Sequence, residues 1–225
     1  MFLKTKSRGE SIAEILVSTA ILVIILTSVF GLISQGMKTT INIENRVRAI
    51  NIAREGIEAV RNIRDTNWLQ YSGDRRNKWL CAETVDLSGE PNILQSHCNT
   101  GGGAGNIVDG FYRVHFSPTF KRYFLEEIFG AVELDLSDNL IDFSNFRLYE
   151  NSDEFRLTYE SDDNSPTPFY RQLELIPSST NVCPGGSCPE EKLRVISRVQ
   201  WQENRTVREV ILESHLFDFY ARDEY

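Results

Sequence analysis

KTKSRGESIAEILVSTAILVIILTSVFGLISQG, residues 4–36, is the stretch from which the rest of the chain is read. Lys4, Lys6 and Arg8 form a short basic head that ends at Gly9, and the run behind it is uncharged from Ile15 to Ile33. At about 1.5 Å per helical residue these nineteen residues reach roughly 28 Å, close to the ~30 Å of a hydrocarbon core. Ile12, Ile15, Leu16 and Ile33 therefore belong to a transmembrane segment, or to a helix packed among others like itself. Basic residues ahead of a span hold that end in the cytoplasm, so everything after Gly36 is expected across the membrane. Glu14 breaks the pattern. A carboxylate near lipid costs up to ~2.5–3.5 kcal/mol at the bilayer centre and less near the interface, so it wants a counter-charge. A cut after Gly9 would supply one, the new amine on Glu10.

Outward from this stretch, helical character continues. No proline occurs from Met37 to Asp65, and Ile43, Val47, Ile50, Ala53, Ile57, Val60 and Ile63 recur at steps of three and four on one face. Charges fill the other sides, with Glu58 to Arg61 and Arg61 to Asp65 at supportive spacings. A helix continuous from Ser11 would hold about 55 residues and reach roughly 80 Å. Trp68 and Leu69 are expected to close it against the body of the domain. Residues 70–110 read as a long irregular loop, with GGGAG at 101–105 as a surface turn that lacks the Lys-Ser or Lys-Thr of a phosphate loop.

Beyond Gly110 the pattern alternates between apolar and polar. Strands are expected at 111–116, 131–136, 154–159, 169–176, 193–202 and 207–217, the last two as a hairpin. Phe120–Phe129 reads as a short helix, and turns are expected at 137–139, 162–168, 183–188 and 203–204. The fold class is α+β: a long N-terminal helix packed on a C-terminal antiparallel β-sheet, with the sheet's other face partly solvated.

Gly9, then Glu10-Ser11-Ile12-Ala13-Glu14, then Ile15-Leu16-Val17 resembles the prepilin signal of bacterial type IV pilins and type II secretion pseudopilins. Residues 53–69, AREGIEAVRNIRDTNWL, are similar to the helix end of PilV-type minor pilins. The resemblance implies cleavage after Gly9 by a cytoplasm-facing prepilin peptidase and methylation of the new amino terminus at Glu10. It implies that Glu14 meets the amino terminus of a neighbouring subunit during assembly. Its partners would be the peptidase, other pilin subunits, the inner-membrane assembly machinery and the membrane itself. The implied location is a single pass through the cytoplasmic membrane, then a cell-surface filament. The implied organisation is a leader at 1–9, an assembly half at 10–36, an amphipathic half at 37–69 and an extracytoplasmic β-rich domain at 70–225. Glu10 departs from the family, which most often has phenylalanine there, and its carboxylate partly cancels the new amine. The span also lacks the proline that often kinks the family helix, leaving Gly31 as its weak point.

Two plainer readings compete. Ser34-Gln35-Gly36 would suit a signal peptidase and release a secreted enzyme starting at Met37, although the apolar run exceeds the usual ~7–15 residues. Alternatively, an uncleaved anchor would carry an extracytoplasmic binding or sensor domain.

The formal charge of −8 argues against nucleic acid as an electrostatic partner, and losing the leader's three cations makes the remainder more acidic still. Cys81, Cys98, Cys183 and Cys188 are even in number in a region placed outside the cytoplasm, which favours two disulfides. Cys183 and Cys188 would close a tight loop, and Cys81 with Cys98 would staple the long one. The four could instead hold zinc, but the x4 spacing is loose. No catalytic residue, metal ligand or cofactor is assigned. His97, His115 and His215 fall in no hydrolase or metalloprotease motif. Asp135, Asp138, Asp162 and Asp163 lack a full calcium-loop spacing, and Asn204-Arg205-Thr206 matches a glycosylation sequon within a turn.

Overall fold

The structure, a computed structural model, describes residues 8–81, 107–118, 121–138, 141–151, 156–161, 164–178, 192–203 and 205–218. His97, Cys98, the GGGAG turn, Asp162, Asp163, Cys183, Cys188 and Asn204 lie outside the described residues. Contacts divide the chain into two compact units, Met1–Val47 and Arg48–Tyr225. One helix, α1 (Arg8–Gln70), runs through both, uninterrupted by any proline.

In the first unit every apolar side chain of the span is exposed. In the second, the helix turns a narrow face to the sheet. Ala49, Ile52, Ala53, Ile57, Ala59, Val60 and Ile63 are buried there. The face was expected to begin at Ile43, but Ile43 and Val47 are 59% and 51% exposed, so packing starts at Ala49. Small residues at Ala49, Ala53, Gly56 and Ala59 let the helix backbone come down onto the strands. The expected Glu58–Arg61 pair forms at 2.6 Å, whereas Asp65 is taken by its neighbour Arg64 at 2.8 Å. At the helix end Trp68 packs on the core, but Leu69 is 80% exposed and closes nothing. A short helix, α2 (Arg75–Lys78), follows.

Among the described residues seven strands form one antiparallel sheet: β1 (Gly110–Ser117), β2 (Arg122–Glu127), β3 (Arg147–Asn151), β4 (Arg156–Thr158), β5 (Ser165–Ser178), β6 (Lys192–Glu203) and β7 (Thr206–Phe217). The long β5 organises it. One edge of β5 pairs along its length with β6, and β6 with β7. The other edge is shared: β1 joins near Leu173 and Leu175, and β3 joins at Tyr170 and Pro166. The hairpins β1–β2 and β3–β4 thus lie side by side on one flank. The β6–β7 hairpin is closed by Glu203 opposite Thr206, with Arg205 in the left-handed region at φ 67°.

Three expectations fail here. Residues 120–129 hold a strand, β2, in which Phe124 and Leu125 are buried and Leu125 faces Val114 across the ladder. Residues 131–136 are extended in sequence pattern but form no ladder; they cross the outer face of β5 and β6 as a strap held by side chains. Strand β3 was not foreseen, and β5 begins at Ser165, inside the expected 162–168 turn.

The core lies between helix and sheet. Ile57, Val60 and Ile63 pack with Leu173, Leu175, Leu193 and Val195, and Ala49, Ile52 and Ala53 pack with Leu148, Phe169, Val199 and Trp201. Each fully buried aliphatic side chain contributes roughly 1.5–3 kcal/mol. The outer face is not simply solvated. Leu134, Phe143 and Phe146 form a second apolar layer with Phe111, Ile128 and Tyr170.

Candidate functional site

The residues singled out for processing and assembly all sit on α1. Gly9 and Glu10 lie in its first turns. Ile12, Ile15, Leu16 and Ile33 are 61%, 62%, 64% and 50% exposed, and the intervening aliphatics are exposed likewise on every side. A helix apolar all round is stable only in a bilayer or inside a bundle, and this one is long and apolar enough to cross a membrane. Three of its hydroxyls bond back to the helix. Thr19 donates to the Ile15 carbonyl at 3.0 Å, Thr27 to Val23 at 3.0 Å and Ser28 to Ile24 at 2.8 Å. Such back-bonding removes the cost of placing a hydroxyl in hydrocarbon. Glu14 has no such remedy. It is exposed, and no cation pairs with it among the described residues.

In the second unit, charges are gathered where the two flanking hairpins meet β5. Arg171 is 1% exposed. Its Nε donates to the Tyr159 hydroxyl at 2.8 Å, its Nη1 reaches the Ile52 carbonyl at 3.4 Å, and Glu55 lies 3.6 Å away. The Tyr159 hydroxyl in turn donates to the Arg171 carbonyl at 3.2 Å. A buried cation survives only when paired and hydrogen-bonded, so these contacts tie helix to sheet at one register. Sequence inspection missed Arg171, yet a signal was there. Phe169, Arg171, Leu173 and Leu175 share one strand face, so the arginine stands in the inward phase.

On the neighbouring hairpin, Glu126 accepts from Arg113 at 2.5 Å and pairs with His115 Nε2 at 2.8 Å. Burial pushes the Glu126 carboxyl up, but the bonds from His115 and Arg113 outweigh it and hold it down at about 2. The His115 ring lies 5.6 Å from Tyr159, which links this cluster to the first. Tyr112 acts as a clip for the segment before β1. Its hydroxyl donates to the Val108 carbonyl at 2.9 Å and accepts from the Val108 amide at 3.1 Å, and burial pushes its pKa up to about 12.

Cys81 is buried and disulfide-bonded. Asn67 fixes its approach from α1, donating to the carbonyls of Trp79 at 3.1 Å and Cys81 at 2.6 Å. His215 pairs with Glu213 at 3.2 Å at the outer surface. Asp135 accepts from the amide and hydroxyl of Ser137, a local turn. No cluster of three metal-ligating side chains occurs among the described residues.

The chain matches no family model, no curated protein and no solved structure.

Proposed function

We propose that the chain is a structural subunit of a type IV pilus or related filament, a minor pilin or pseudopilin that assembles through α1. The observation that carries this reading is the helix from Ile12 to Ile33, its apolar side chains exposed on all sides, with one carboxylate, Glu14, at its start that has no cation partner among the described residues. Prepilin peptidase removes residues 1–9 on the cytoplasmic side and the Glu10 amine is methylated. The assembly machinery then moves the helix from the bilayer into a bundle of similar helices. Apolar burial is roughly conserved in that exchange, so little energy opposes it. Glu14 supplies direction, because leaving lipid for a site beside a neighbour's amino terminus gives it a partner. The extracytoplasmic β-domain then decorates the filament.

Glu14→Leu tests the reading. The variant is expected to insert into the membrane at parental levels and to vanish from sheared filaments. Incorporation at the parental level would remove Glu14 from the mechanism.

A further inference from the structure

Past the span, α1 goes on exposing apolar side chains where no hydrocarbon surrounds them. Met37, Ile41, Ile43 and Val47 are 65%, 55%, 59% and 51% exposed, with Lys38, Glu44, Arg46 and Arg48 set among them. Their order follows a rule. A heptad seam, with stations alternately three and four residues apart, can be laid on residues 37–50 in seven phases. Six of them place Lys38, Glu44, Arg46 or Arg48 at a station. The remaining phase runs through Thr40, Ile43, Val47 and Ile50. Carried backward at the same spacing it meets Gly36 and Ile33 and continues to Ile12 without a charge, passing Glu14 by. Thr19 and Thr40 are both stations, and each donates its hydroxyl to the carbonyl of the station before it, Ile15 and Gly36, at 3.0 Å. Neither brings an unsatisfied hydroxyl into the seam. Gly36 has nothing within 4 Å of where a Cβ would stand, so a second helix could approach closely there. Thr40, Ile43 and Val47 are exposed and Ile50 is half-buried. The next stations are Arg54 and then Ile57, which the chain's own core claims, so the free seam ends at Ile50.

We infer that this stripe is the docking surface for a second copy of the chain, its α1 packed parallel and in register from Ile12 to Ile50. Lipid asks a helix only to be apolar; a stripe held at a spacing of 3.5 is what a paired helix asks for. Two copies inserted the same way into one membrane present their helices parallel and at the same depth. Each station then meets its own equivalent, Ile43 on Ile43 and Val47 on Val47, and no layer contains a charge. About 25 Å of the seam, from Ile33 to Ile50, lies beyond the span. Burying apolar side chains from water drives association there, a force that helices wholly in lipid lack. At Arg54 like charges would meet, so the pair parts at that level. The inference goes beyond the assembly role and does not need it. An uncleaved anchor would pair through the same seam, and Glu14 stands off it.

The test is oxidative cysteine cross-linking of the full chain in membrane vesicles, at a lipid excess that makes chance encounters rare. Ile43→Cys and Val47→Cys lie on the seam; Asn42→Cys and Asn45→Cys lie off it on the same turns. The seam variants are expected to give at least tenfold more of a linked species with the mass of two copies. Adding Val47→Glu to Ile43→Cys is expected to remove that species at least tenfold. Val47 is exposed, and an unchanged thermal transition of the domain would show that it remains folded. Equal cross-linking at all four positions, or none at any, would overturn the inference. So would a linked species of any other mass, or indifference to Val47→Glu. The same membranes separate this inference from the assembly reading. Glu14→Leu is expected to leave the Ile43→Cys cross-link at its parental level, whether the chain begins at Met1 or at Glu10; its loss would overturn the seam as the site of pairing.

Discussion

Gly56 shows how closely the helix approaches the sheet. A Cβ built there would lie 2.8 Å from Leu173 Cδ2 and 3.1 Å from Ser197 Oγ, and Leu173 is fully buried with nowhere to move. Gly56→Ala should therefore destabilise the domain by about 1–3 kcal/mol, against the usual gain from replacing a helical glycine by alanine. Shortening the neighbour, as Leu173→Val, should recover part of that loss; a Gly56→Ala variant with an unchanged or raised Tm would contradict the packing. Glu126 makes a second prediction at this scale. Its carboxyl is depressed from 4.5 to about 2 in the folded chain, so the stability it contributes is complete above pH ~4.5. That contribution is lost as pH falls from about 4.5 to about 2. Tm measured against pH should fall more steeply in this window for the parent than for Glu126→Gln. Parallel curves would show that Arg113 and His115 do not hold the carboxylate. Neither residue was visible as special in the sequence, because Gly56 is one glycine in a helical pattern and Glu126 one acid of many.

At the scale of elements, legibility followed periodicity. The helix, β1, β6 and β7 were readable because their apolar residues repeat at helical or strand spacing over many residues. The β6–β7 hairpin was readable because two alternating runs flank a short polar link. Where one pattern serves two structures, the sequence misled. AVELDL alternates as a strand does, yet its hydrogen bonds go to glutamine side chains, which alternation cannot reveal. Residues 120–129 have apolar positions that suit a helix turn or a buried strand, and pairing with β1 decides between them. The strap's dependence on side chains has a kinetic consequence. The amides of Leu134 and Leu136 should exchange with solvent faster than the β5–β6 ladder amides, because releasing the strap breaks bonds to side chains and no ladder bond. Exchange at the same rate as the ladder would show that strap and sheet open only together.

At the scale of the whole molecule, the chain joins a membrane-length apolar helix to an α+β unit whose core is complete in itself. The fold class and the membrane-length helix were both legible from residues 4–36 and the alternating patterns beyond Gly110. The charged centre of the second unit was not, since Glu55, Tyr159 and Arg171 are far apart in sequence and meet only through the topology of β5. The processing and assembly roles proposed for Gly9, Glu10 and Glu14 concern chemistry done to the chain and contacts with other chains, which the fold of a single chain does not display. The direct test is the intact mass and amino-terminal sequence of the protein taken from its native membrane. The proposal predicts a chain that begins at Glu10, with the mass of one added methyl group. A chain beginning at Met1 would contradict it and leave an anchored extracytoplasmic domain, and a soluble chain beginning at Met37 would contradict it in favour of a secreted protein.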